Sequence, residues 1–128
     1  EQRKNKAEIK KAIGEIPGVE FRDLVDPAGD GGDTMAFFLP GAKVAKAFND
    51  FLAKEKIDTK ILPSAMNWHF VGNWNHIIQY CRPYRTDAWP KSEALLKRAI
   101  AFPISVRMSG EQIRRIMDGV RRAAKEVL

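Results

Sequence analysis

The sequence predicts a small α/β (α+β) sandwich, a short mixed or antiparallel sheet covered by helices, and three observations lead there. Apolar residues recur at helical spacing in three stretches, short apolar or alternating runs lie between them, and Pro-Gly pairs or glycine clusters mark the changes. At 128 residues, 45% hydrophobic and 30% charged, the chain has the size and composition of a single domain spanning residues 1–128.

Ile9, Ala12, Ile13 and Ile16 recur as one face of a helix, which Pro17-Gly18 ends. Val19 to Leu24 alternates apolar and charged residues, as a strand with one solvated face does. A glycine-rich turn from Asp26 to Asp33 follows, then the apolar strand Thr34 to Leu39, so the two strands form an antiparallel ribbon. After Pro40-Gly41, Val44, Ala47, Phe48, Phe51 and Leu52 predict an amphipathic helix whose polar face is Lys43, Lys46, Asn49, Asp50 and Lys54. The extended piece Thr59 to Leu62 leads into an irregular stretch, Pro63 to Pro90, rich in polar-tipped rings: Trp68, His69, Trp74, His76, Tyr80, Tyr84 and Trp89. Pro90 suits the first turn of a helix to about Arg98, and Phe102 to Met108 is the last strand. Ser109 with Gln112 forms a capping box for a final helix that buries Ile113, Ile116, Met117, Val120, Ala124 and Val127.

No apolar run approaches the roughly 20 residues that span a bilayer, so no membrane partner is expected. The lone Cys81 cannot form an internal disulfide, which fits a reducing cytoplasm. The excess of 22 Lys and Arg over 16 Asp and Glu, net +6, raises the question of an anionic partner. The basic stretches Arg3 to Lys11 and Arg114 to Lys125 are interleaved with Glu8, Asp118 and Glu126, which favours solvated helix faces over a phosphate-tracking stripe. The chain opens on Glu1-Gln2-Arg3-Lys4 and runs straight into a helical pattern, which reads as a cut inside a longer protein.

A long irregular segment inside a compact domain is either functional or hides an element. His69 and His76, with neither carboxylate nor thiol beside them, make a poor zinc site, and no metal is expected. Trp68 and Trp74 either pack the loop onto the sheet or wall a pocket, since indole and imidazole offer the flat apolar face and polar edge that sugar rings require. Arg107, expected inside the last strand on one face with Ser105, needs water or an acid; a rim salt bridge is the plainer reading, a ligand carboxylate or phosphate the other. There is no phosphate-loop order in the glycine-rich turn, no G-x-S-x-G elbow and no Cys–His pair, so no self-sufficient catalytic set is present.

Several motifs then line up in order: the Arg3-Lys4-Asn5 helix, the strand pair, and the turn Lys56-Ile57-Asp58-Thr59, of "gI-x-T" type. After them come the His-bearing loop Trp68-His69-Phe70 and the helix start Pro90-Lys91-Ser92-Glu93-Ala94-Leu95, of "P-x-S-E-x-L" type. The strand Phe102-Pro103-Ile104 and the helix start Ser109-Gly110-Glu111-Gln112-Ile113 close the series. Over essentially its whole length the chain resembles the C-terminal third of the DegT/DnrJ/StrS group of pyridoxal-phosphate-dependent sugar aminotransferases. Asn67-Trp68-His69-Phe70 followed by Asn73-Trp74-Asn75-His76-Ile77 is closer to the enzymes that form 8-amino-3,8-dideoxy-octulosonate, a lipopolysaccharide sugar acid. It departs from the commoner "Y-x-P-x-H-x-Q" loop of the nucleotide-sugar members.

The resemblance implies the small C-terminal domain of a cytoplasmic fold-type-I homodimer, with glutamate as amino donor and pyridoxal phosphate held through a Schiff base. In that group the anchoring lysine and the acid on the pyridinium nitrogen belong to a large domain. No lysine here stands in the "S-F-x-x-x-K" setting, so no catalytic or cofactor-binding residue is assigned to residues 1–128, which alone should bind no cofactor and be inactive. Implied partners are the protein's own large domain, a second subunit, the sugar substrate and the amino donor, with no nucleic acid. Asn67, Trp68 and His69 are the implied substrate contacts and Arg107 the implied carboxylate contact. Two rival readings are a stand-alone nucleic-acid-binding module and a dimerisation module.

Overall fold

A computed structural model describes residues 1–61, 66–78, 80 and 88–128. Its elements are α1 (Gln2–Ile13), β1 (Glu20–Phe21), β2 (Thr34–Phe38), α2 (Ala42–Lys54), β3 (Lys60–Ile61), α3 (Met66–His69), a 3-10 turn (Val71–Asn73), α4 (Asn75–Ile78), α5 (Pro90–Leu96), β4 (Ala99–Pro103) and α6 (Gly110–Val127). The strands form one sheet in the order β1-β2-β4-β3, every neighbouring pair antiparallel. Leu62, Pro63, Cys81 and Tyr84, named above, lie outside the described residues.

Strand alternation divides the sheet into two faces. Met35 and Phe37 of β2 lie opposite Phe102 and Ile100 of β4, and these four join Ile9 and Ile13 of α1, Phe48 and Leu52 of α2, and Ile113 and Val120 of α6 in the main core. Phe37 stacks on Phe102 with centroids 5.9 Å apart and meets Phe48 edge-on at 6.1 Å, both favoured aromatic geometries. Burying such a ring contributes about 1.5–3 kcal/mol. α1 packs on β2, α2 on β4, and α6 against both helices. The opposite face carries Phe38, Ala36, Ala99 and Ala101, and it too is shielded, Ala99 being 0% and Ala101 3% exposed.

Local chemistry ties the elements together. Asn49, expected on the polar face of α2, is buried and accepts a hydrogen bond from the Thr59 hydroxyl. Asn5 is buried and donates to the Ser105 carbonyl at 2.9 Å, while Gln2 donates to that of Ile104 at 2.6 Å. α2 ends with the Lys56 amide on the Ala53 carbonyl and the Ile57 amide on that of Leu52, with Lys56 at φ 55°, the Schellman pattern of a helix stop. Arg115 donates to the Glu55 carbonyl at 2.8 Å, and Arg98 holds Glu20 through two hydrogen bonds, 2.9 and 3.1 Å. The capping box at Ser109 is present in both directions, 2.8 and 3.1 Å.

Several sequence expectations are corrected. The first strand is two residues rather than Val19 to Leu24, because the following turn is drawn to α1, where Lys6 pairs with Asp30 at 2.5 Å and Gly32 (φ 78°) lies against the Arg3 backbone. On α2 the buried stripe is Ala45, Phe48, Asn49 and Leu52; Ala47 is exposed, since the Asn49–Thr59 bond turns that polar residue inward. On α6 only Ile113 and Val120 of the expected six are fully buried, beside Gly119 and Ala123. The last strand runs Ala99–Pro103, not Phe102 to Met108: the Ile104 amide makes a final bond to Asp33 at 2.7 Å, after which the Ile104 and Ser105 carbonyls go to side chains of α1. α5 stops at Leu96, and the stretch expected to be irregular contains α3, the 3-10 turn and α4.

Candidate functional site

α3 is a single turn, yet it sorts its residues sharply. Met66 and Phe70, four apart, point inward and are buried, which leaves Asn67, Trp68 and His69 in solvent. The Phe70 amide closes the turn on the Met66 carbonyl at 2.8 Å, and the Phe70 ring folds over Gly72 so closely that a Cβ there would lie 2.3 Å from Cε1. Glycine at 72 is therefore what lets the chain turn back at once. Asn73 donates to the Asn67 side-chain oxygen at 3.3 Å, bridging the two turns, and the Ile77 amide bonds the Trp74 carbonyl at 2.9 Å.

Opposite stands α5. Trp89 precedes it, Pro90 opens it where a missing N–H costs nothing, and none of its residues is buried. Between the two walls lies a groove of about 380 Å³, with His69, Phe70 and Trp74 on one side and Trp89, Ser92 and Leu95 on the other. That volume is within the range of small-ligand sites, and indole planes beside an imidazole and a hydroxyl suit a ring with an apolar face and polar edges.

Of the sequence-derived site residues, His69 lines this groove. Asn67 and Trp68 stand exposed on the adjoining turn, and neither lines it. Arg107 is not in a strand facing with Ser105; it is exposed in the turn before α6, its amide donating to the Ser105 hydroxyl oxygen at 3.1 Å, and it does not line the groove. Sequence reasoning did not assign the second wall, α5. Its signal was present in Trp89, just before the helix, and in Leu95 and Leu96, apolar positions on a helix too short and too exposed to use them for the core.

The perturbed titrations lie elsewhere, in ion pairs of the body. Hydrogen bonds from Arg121, Arg98 and Lys6 hold Glu15, Glu20 and Asp30 below the ordinary carboxylate range, and Glu15 and Glu20 in turn raise Arg121 and Arg98. Among the described residues, no three of His, Cys, Asp and Glu gather as metal ligands would, and no helix is long and apolar enough to cross a membrane. A wider concavity, about 740 Å³, lies between the turn that follows α1 and the C-terminal half of α6 and contains none of the residues discussed so far as site residues. No family model matches the chain.

Proposed function

We propose that residues 1–128 are the small domain of a pyridoxal-phosphate-dependent aminotransferase. The enzyme would act in the cytoplasm and move an amino group from glutamate to a keto- or aldehyde-sugar destined for cell-surface polysaccharide or lipopolysaccharide. The groove between His69 and Trp89 carries this reading, because it gathers sugar-compatible side chains from the two segments, Trp68-His69-Phe70 and Pro90 to Leu95, that bear the family-like motifs. A second observation supports it: Lys56 adopts φ 55° at the position where the "gI-x-T" pattern has glycine, and Thr59 of that pattern satisfies the buried Asn49.

The groove does not fit pyridoxal phosphate itself. Among the described residues its lining has no lysine to anchor an aldehyde and no carboxylate to hold a pyridinium proton, and the nearly buried Lys6 is committed to Asp30. No step of the reaction is therefore derived through these residues. Their part is to present the indole faces of Trp74 and Trp89 to the sugar ring, offer the His69 imidazole and Ser92 hydroxyl to its oxygens, and exclude water from one side. Arg107, solvated in its turn, is the proposed partner of a substrate carboxylate.

The test is steady-state kinetics of the complete enzyme with glutamate and a keto-sugar acid. His69→Ala and Arg107→Ala should each lower kcat/KM about tenfold or more, since losing a hydrogen bond to a charged group costs about 1.5–3 kcal/mol. Values within about twofold of the parent would contradict the assignment.

A further inference from the structure

We propose that Phe70 and Gly72 are a positioning pair: the Phe70 ring, seated on the glycine, sets the spacing of His69 and Trp74 along one wall of the groove. Its consequence for sugar binding rests on the function proposed above, whereas the positioning itself does not.

Glycine at 72 answers to the ring and not to the backbone. It sits in the middle of the 3-10 turn Val71–Asn73, and its φ lies outside the left-handed region that Gly18 and Gly32 occupy, so the backbone there would suit an L-residue. A Cβ would instead meet three atoms of the Phe70 ring, Cε1 at 2.3 Å, Cζ at 2.7 Å and Cδ1 at 3.1 Å. Close packing leaves no room for both.

The groove wall is built around this contact. Phe70 is 4% exposed, stands outside the main core cluster and lines the groove. His69 precedes it directly, and its carbonyl accepts from the Asn73 amide at 3.0 Å. The Trp74 amide bonds the Val71 carbonyl at 3.0 Å, so Trp74 leaves the same turn that Gly72 centres. Pushing the ring off residue 72 therefore moves His69 and Trp74 relative to each other. A wall set in advance spares a ligand the cost of ordering it.

The experiment uses the full-length protein labelled with nitrogen-15 tryptophan, as Gly72→Ala, as Gly72→Ala with Phe70→Leu, and as His69→Ala. Each is titrated, without amino donor, with 3-deoxy-octulosonate, the hydroxyl counterpart of the amino sugar acid named above. In Gly72→Ala the Trp74 indole N–H resonance should shift and Kd should rise about fivefold, the scale of re-ordering one side chain on binding. Leucine lacks Cε1 and Cζ, the two nearest ring atoms, so adding Phe70→Leu should return the resonance and bring Kd to within about twofold of the parent. The proposal is overturned if Gly72→Ala leaves the resonance in place, or if Phe70→Leu fails to restore it. His69→Ala separates the two claims. If the resonance moves and returns while none of the three forms alters Kd, the positioning stands and the sugar reading falls. If His69→Ala weakens binding and Gly72→Ala does not, the sugar reading stands and the positioning is overturned.

Discussion

Phe37 and Trp68 are both large rings set on regular secondary structure, yet Phe37 is 0% and Trp68 79% exposed. Phe37 belongs to a body in which two helices and a sheet face share one core and α6 closes it; Trp68 belongs to a run of short turns where, among the described residues, Met66, Phe70 and Gly72 are buried. In the body, apolar surface is used up by packing. Among the described residues from α3 to α5 it is left exposed: Trp89 and Leu95 face the groove, and Trp68, Ile77 and Tyr80 stand in solvent outside its lining. Contiguous exposed apolar surface of this kind is what interaction sites present.

The widest gap between the two regions is expected on truncating these rings. Phe37→Ala should cost about 3–5 kcal/mol in urea unfolding, whereas Trp68→Ala should change stability by no more than about 0.5 kcal/mol. Equal costs would erase the distinction. Next, Gly119→Val tests how closely α6 approaches the end of α2, since a Cβ there would lie 2.2 Å from Ile57 Cδ1 and 3.4 Å from Leu52 Cδ2. A loss of about 1–3 kcal/mol is expected from overpacking, and a neutral result would mean that Ile57 moves freely aside.

A smaller effect of opposite sign is expected at Lys56. Replacing it with glycine removes the strain of a left-handed L-residue and should raise stability by about 1 kcal/mol. Smallest is the pH response of the body's ion pairs. Glu15, Glu20 and Asp30 have carboxyl pKa values lowered on folding, so their contribution is present at neutral pH and is lost as pH falls through the depressed folded values. Glu15→Gln and Glu20→Gln should flatten the acid limb of the stability curve, and added salt should do the same because these pairs are solvent-exposed. An unchanged acid limb would show that the pairs are as strong in the unfolded chain.

Element order was legible because helical periodicity and Pro-Gly punctuation are local signals. α1, β2, α2 and the capped α6 were expected close to where they stand. Boundaries failed where tertiary contacts decide them. Ala99 and Ala101 are small and shielded on a central strand, so they carry no alternating signature, and β4 was placed too late. The rotation of α2 was hidden because Asn49 reads as surface until Thr59 is known to meet it. At the site, His69 was found from its ring-rich surroundings, but the facing wall was not, since only the folded chain brings Trp89 and Ser92 across from it.

The measurement that bears most directly on this division of labour is the His69→Ala variant of the proposed full-length aminotransferase, His69 being exposed and lining the groove, assayed in parallel for unfolding midpoint and for amino transfer from glutamate to a keto-sugar. The expected result is an unchanged midpoint with kcat/KM reduced about tenfold. Full activity at unchanged stability, or a loss of stability that accounts for any loss of activity, would contradict it.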